Sequence, residues 1–265
     1  MEVINRPDYT EKVKKLFGKG FIIALTGQRR VGKSFIMRQV IKELSQDSAA
    51  HVIYIDKDNE EFSFVQSHEE LTKYVKSNLL SNKRNYLFVD EIQNIKEFEV
   101  SLRSFHTNDE CEMVITGSNA KMLSSELSTY LSGRCVEYHI QSLDYREFLT
   151  FHRLSDNNQS LHSYLKYGGL PQLHRIGLEE TELVDDYLKS VYHTIVLKDV
   201  IEREEIRNVP LLKNLIRFVG DNVGKVFSAS SIVKYLKSQQ VDSSTRVILN
   251  YLEYLCNAYI INRVN

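Results

Sequence analysis

The chain of 265 residues carries 34 Lys and Arg against 35 Asp and Glu, is 42% hydrophobic and holds only three prolines. That composition excludes a disordered chain and leaves room for an α/β core with one or two smaller helical units. Cys111, Cys135 and Cys256 are few, odd in number and far apart, and no apolar run approaches membrane-spanning length; disulfide-framework, zinc and membrane-protein classes drop out, and a reducing, cytoplasmic setting is expected.

In chain order, Tyr9, Val13, Leu16 and Phe17 repeat at helical spacing behind Pro7, which suits a first helical turn. Phe21 to Leu25 is a continuous apolar run that stops at Thr26-Gly27, as a strand buried on both faces would. Ile36, Met37, Val40, Ile41 and Leu44 then mark a helix, giving the order strand, glycine loop, helix. The alternation continues with a strand at 51–55, a helix around 71–80, a strand at 86–89 and a helix near 98–105. A strand at 113–116, a helix near 122–131 and a strand at 136–140 follow. Five strands alternating with helices predict an α/β fold, a parallel five-stranded sheet with helices on both faces.

Past Gln141 the strand signal disappears. Segments 144–153, 159–167 and 181–204 read as helices of a lid-like subdomain, so the expected division is 1–141, 142–205 and 206–265. The last segment shows helices near 210–220, 229–238 and 243–257, then the β-prone Tyr259 to Val264, the order of a winged helix-turn-helix. It ends where the first wing strand would need its partner, which reads as a piece of a longer protein. Residues 206–265 hold eight Lys and Arg against three Asp and Glu, a balance that permits a polyanion partner and equally fits a solvated helical surface.

Gly27-Gln28-Arg29-Arg30-Val31-Gly32-Lys33-Ser34 matches G-x-x-x-x-G-K-[ST] in full. Its glycines let the backbone curl so that N–H groups point inward at phosphate oxygens, and the following helix adds its positive end. The phosphate-binding set therefore runs from Gly27 to Phe35. Lys33 would bridge the β- and γ-phosphates, and Ser34 would give its hydroxyl to Mg²⁺.

Tyr86-Leu87-Phe88-Val89-Asp90-Glu91 places two acids at the carboxyl end of a buried strand, where ligands of open α/β sheets collect. Asp90 would hold Mg²⁺ through water and Glu91 would act as general base on the attacking water; the bland alternative is a pair of acids ending a strand. The next strand ends in Thr116-Gly117-Ser118-Asn119. Ser118 and Asn119 are equal candidates for contacting the γ-phosphate or the water, and a turn with a helix N-cap fits the same residues. Arg134, in Ser132-Gly133-Arg134-Cys135, is a candidate arginine finger acting across a subunit interface, although surface arginines are common.

These segments together resemble the AAA+ superfamily of P-loop ATPases, including its branch near the signal-transduction (STAND) ATPases. More narrowly they are similar to a group of bacterial and archaeal AAA+ proteins in which the ATPase core precedes a domain of unknown function. The likeness is carried by Asn5-Arg6-Pro7-Asp8-Tyr9, the phosphate loop with its Arg29-Arg30, Asp90-Glu91-Ile92-Gln93 and Thr116-Gly117-Ser118. It continues through Leu131-Ser132-Gly133-Arg134, Asp144-Tyr145-Arg146-Glu147-Phe148-Leu149, Gly168-Gly169-Leu170-Pro171 and Lys198-Asp199-Val200. The resemblance implies ATP as the nucleotide and an additional strand between the phosphate-loop and acidic strands. It also implies a finger at Arg134, hence a homo-oligomer, and an adenine contact at Pro171. Without it, Gly168 to Pro171 reads as a helix end and a turn. Gln28 stands where an apolar residue is frequent and Phe35 where Thr is usual; neither change removes a phosphate or magnesium ligand. Relatives continue into a region resembling a restriction-endonuclease fold, for which no residues are present here.

The leading expectation is a Mg²⁺-dependent ATPase that moves its lid and winged helix with nucleotide state. The second is a nucleotide-switched DNA-binding regulator with little turnover. There Lys234, Lys237, Arg246 and Arg263 would meet phosphates and Arg246 and Asn250 would read bases. The mostly apolar last helix fits a protein partner equally well. Nothing after the sheet resembles the basic acceptor-binding lid of a small-molecule kinase.

Overall fold

The computed structural model describes residues 5–118, 131 and 133–263. Its centre is a five-stranded parallel sheet: β1 (Ile22–Thr26), β2 (Ala50–Asp56), β3 (Arg84–Asp90), β4 (Glu112–Gly117) and β5 (Cys135–His139). The strands lie in the order β2-β3-β4-β1-β5. β4 therefore sits between β1 and β3, in register with both: Leu25 pairs with Thr116 and Val89 with Ile115. This is the inserted strand that the sequence resemblance implied. Because the pairing is parallel, the ends of β1, β3 and β4 meet at one edge, whatever their distance in sequence.

Successive strand residues face opposite ways. Ile22 and Ala24 of β1, with Leu87 and Val89 of β3, join one apolar layer, which α3 (His68–Asn78) closes with Leu71 and Val75 and α4 (Phe98–Thr107) with Leu102 and Phe105. Ile23, Leu25, Tyr86 and Phe88 face the other layer, closed by Val13 of α1 (Pro7–Lys14) and by Ile36, Met37 and Val40 of α2 (Lys33–Leu44). β1 is buried along its whole length, which is why its sequence shows no polar alternation. The helix expected near 122–131 lies outside the described residues, apart from the buried Leu131.

Beyond β5 come α5 (Tyr145–His152), α6 (Asn158–Tyr167) and the short α7 (Leu173–Ile176). Asp144 and Glu147 form a reciprocal capping box that starts α5. Leu143, Phe148 and Phe151 make a small apolar cluster with Tyr145, Tyr164 and Leu178. The chain divides into two compact units, Met1–Asp185 and Asp186–Asn265, and the division falls within the helix α8 (Thr181–Thr194), which widens into a π-helix over Ile195–Glu202.

The second unit contains α9 (Val209–Asp221), α10 (Ala229–Ser238) and α11 (Thr245–Asn257), close to the expected spans. Leu212, Leu215, Ile232, Leu236, Ile248 and Leu255 are buried. The β-prone tail departs from expectation, because residues 258–263 contain no strand. Tyr259 is left-handed at φ 55, and the amides of Tyr259 and Ile260 bond back to Cys256 and Leu255. The apolar residues are thus used in a helix-ending turn instead of an extended strand.

Candidate functional site at the carboxyl edge of the sheet

The loop between β1 and α2 is set by its backbone. Gly27, Arg30 and Gly32 take positive φ values of 132, 68 and 101, a sequence of left-handed turns that curls the chain. At Gly27 a side chain would collide with the Ile140 carbonyl, because Ile140 hydrogen-bonds back to Thr26 at 2.7 Å. Gly32 caps α2 without a side-chain hydrogen bond to its first turn, so the amides of that turn keep no side chain between them and a ligand. Val31 is buried in the core beneath the loop, Gln28, Arg29, Ser34 and Phe35 are half-buried, and Arg30 is exposed. Lys33 is only 4% exposed, and its ammonium donates to the carbonyls of Gly27 and Gln28 at 2.8 and 2.9 Å.

Asp90 ends β3 at 2% exposure. Thr116, at the end of the adjacent β4, donates its hydroxyl to Asp90 Oδ1, and the Ser34 side chain is close enough to favour the ionised form of the same carboxylate. Burial pushes the Asp90 carboxyl above its ordinary range, against the lowering influence of Thr116 and Ser34, with the neighbouring Glu91 and Asp56 adding to the rise. On the other side, the Tyr54 hydroxyl lies 3.5 Å from Asp90 Oδ2 and 3.2 Å from Asp56 Oδ2. Asp56 is held by Arg38 at 3.0 Å. Burial raises Tyr54 to about 12, opposed by Arg38, so the phenol stays protonated and available as a donor.

Glu91 leaves the strand in a left-handed conformation, φ 54, which turns its carboxylate away from the direction strand alternation would give it. Its amide donates to Thr116 Oγ1 at 2.9 Å. Its carboxylate accepts from Ser118 at 3.1 Å and from Gln93. Thr116 therefore orients both acids, one through its own donor and one as acceptor.

The sequence candidates Lys33, Ser34, Asp90, Glu91 and Ser118 converge at this one edge. Pro171 joins them: its Cγ lies 3.9 Å from where a side chain at Gly32 would begin, and the Gly169 carbonyl fixes the segment by accepting from Leu143 at 2.7 Å. Arg134 does not join them. It is exposed just ahead of β5, whose residue Cys135 pairs with Ile22 and whose residue His139 pairs with Thr26; at ~3.3 Å per residue it stands ~20 Å from the loop, at the opposite edge. Asn119 lies outside the described residues.

In the sequence Thr116 stands out only as part of a motif, and Tyr54, Asp56 and Gln93 join the site only in the fold. Asp56 carried a signal, an acid closing an apolar strand as Asp90 does. Tyr54 carried none, since its role depends on the pairing of Asp56 with Asp90. Among the described residues no three His, Cys, Asp or Glu side chains are grouped to hold a metal ion. The Ser34 hydroxyl and Asp90 carboxylate are hard oxygen donors too few to cage an ion alone, which fits Mg²⁺ completed by phosphates and water.

In the second unit Lys234, Lys237, Arg246, Asn250 and Arg263 are exposed. No helix among the described residues is long and apolar enough to cross a membrane.

Residues 19–149 match the family described as AAA domain, and residues 158–265 match one described as Domain of unknown function (DUF8612). An uncharacterized protein of Haemophilus influenzae is 32% identical over 97% of this chain and 66% of its own length. An uncharacterized protein of Methanocaldococcus jannaschii is 30% identical over 92% of this chain and 56% of its own length. The chain thus spans about two thirds and just over half of these curated relatives. Among solved structures, the Aeropyrum pernix ORC1 protein in complex with DNA aligns at TM-score 0.49 and 12% identity, over 97% of this chain and 85% of that one. AMPPCP-bound DnaA from Aquifex aeolicus aligns at TM-score 0.47 and 15% identity, over 96% and 89%. With its glycine loop, inserted strand and AAA-domain match, the chain belongs to the AAA+ P-loop ATPase family, as a prokaryotic-type member with an additional C-terminal domain.

Proposed function

We propose that the protein binds Mg·ATP at the carboxyl edge of its sheet and hydrolyses the terminal phosphoanhydride bond. The observation that carries this reading is the strand pairing that brings the phosphate loop after β1 and the acids after β3 to the two sides of β4, whose Thr116 bonds both acids.

In this reading Lys33 exchanges the Gly27 and Gln28 carbonyls for β- and γ-phosphate oxygens, and the loop amides from Gln28 to Phe35 take the remaining phosphate lone pairs. Ser34 and Asp90 hold Mg²⁺, the latter through water. When bound, the ion offsets charge on the phosphate oxygens. Glu91 accepts a proton from the attacking water as its oxygen bonds to the γ-phosphorus and the bond to the β-phosphate oxygen breaks, giving ADP and phosphate. Ser118, bonded to Glu91, orients that carboxylate or meets the γ-phosphate. Pro171 packs against the adenine, with Gly169 and Leu170 forming the approach. Arg134, too far from its own loop, serves a neighbouring copy.

The test separates binding from turnover. Lys33→Ala should lose nucleotide affinity by about tenfold or more, whereas Glu91→Gln should keep affinity and lose phosphate release by about a hundredfold or more. Normal nucleotide affinity in Lys33→Ala, or normal phosphate release by Glu91→Gln, would refute the assignment.

A further inference from the structure

Arg6 has no part in the chemistry above, yet its guanidinium is among the most heavily bonded charged groups in the molecule. It is 5% exposed. Nε and Nη2 hold the two carboxylate oxygens of Glu147 at 2.7 and 2.8 Å. Nη1 donates to the Gln141 carbonyl at 2.9 Å and to the Val31 carbonyl at 3.2 Å, and the Tyr9 ring lies 4.6 Å from the guanidinium carbon. One planar group therefore ties together the phosphate loop, the chain leaving β5, and the first turn of α5. A buried cation is costly unless it is paired and satisfied, and only a fork of fixed donors reaches all three partners.

The position of Val31 gives this tie a consequence. Val31 lies between Arg30 and Gly32, both at positive φ, and its side chain is anchored in the core. To meet phosphate, Lys33 must leave the Gly27 and Gln28 carbonyls, and the peptides of the loop must turn with it. The Val31 carbonyl cannot turn without pulling on Arg6, and Arg6 cannot shift without displacing Glu147. Leu143, which fixes the Gly169 segment, lies four residues before Glu147.

We propose that Arg6 is a positioning residue that couples occupancy of the phosphate loop to the placement of α5. The nucleotide arm of this inference rests on the ATP-binding reading above. The experiment is amide hydrogen exchange on the full chain, for wild type, Arg6→Lys and Glu147→Gln, with and without Mg²⁺ and a non-hydrolysable ATP analogue. Without nucleotide, both variants should exchange α5 amides about tenfold faster than wild type or more, while β1 and β3 stay unchanged. With nucleotide, wild type should change its α5 exchange and Arg6→Lys should not, and Arg6→Lys should bind the analogue about tenfold more weakly. Unaltered α5 exchange in the variants, sheet and α5 loosening together, or a nucleotide response of α5 that survives Arg6→Lys would each overturn the proposal. Failure of wild type to bind the analogue would instead count against the ATP reading, and the nucleotide-free arm would still decide the tie to α5.

Discussion

Asp90 shows how a single buried carboxyl can weigh against the stability of the fold that holds it. Its carboxyl is held above the ordinary range chiefly by burial. A raised acid stabilises the fold while protonated, and that contribution is lost as pH rises through its folded pKa. At neutral pH the buried charge is therefore a net cost, relieved in part by Thr116 and Ser34. Asp90→Asn should raise the melting temperature of the nucleotide-free protein by about 2–4 °C, the shift that ~1 kcal/mol produces at this size, and should remove Mg²⁺-dependent nucleotide binding. A melt with and without Mg²⁺ and nucleotide checks both; a lower melting temperature for the variant would show that the hydrogen bonds outweigh the desolvation. Thr116 acts in the same group of contacts; the sequence marked it only as the first residue of the motif Thr116-Gly117-Ser118, with no role of its own.

The helices after the sheet carry a different constraint. His152, at the end of α5, lies against Phe148 with ring centroids 4.3 Å apart and faces His174 at 6.1 Å. Its Nε2 is buried without a hydrogen-bond partner among the described residues. Burial lowers it to about 4, with His174 lowering it further and Glu179 opposing. A depressed histidine contributes stability that is present above its unfolded pKa of 6.5 and is lost as pH falls through its folded value of about 4. His152→Leu should therefore flatten the loss of melting temperature between these pH values while leaving the neutral-pH value close to wild type. An unchanged acid slope would assign that loss to other groups. Elements of this kind were legible in their spans, because periods of 3.6 and 2 survive in a single sequence. The wing strand failed because β-propensity describes fitness for a paired, half-buried surface, whereas the backbone from Tyr259 onward turns back on the end of α11.

In the proposed reading Arg134 acts only in an assembly. Exposed at the far edge of the sheet from the loop, it would act on another copy. Arg134→Ala should keep nucleotide affinity while phosphate release falls by about a hundredfold or more. Mixing it with Glu91→Gln should restore turnover, since an intact Glu91 on one chain then meets an intact Arg134 on the other. A mixture no more active than its parts would eliminate action in trans. The second unit adds exposed cations at Lys234, Lys237 and Arg246.

The phosphate loop, the acidic strand and the alternation of strands and helices could be read from residue order alone, because each is a local pattern: a glycine spacing, an apolar run that ends in acid, a helical period. The place of β4 between β1 and β3 followed from family resemblance alone, and the grip of Tyr54 and Thr116 on Asp90, the approach of Pro171 to Gly32 and the reach of Arg6 to Glu147 could not be read from residue order. Each joins segments far apart in the chain, and only the pairing register and the packing of layers bring them within hydrogen-bond or van der Waals distance.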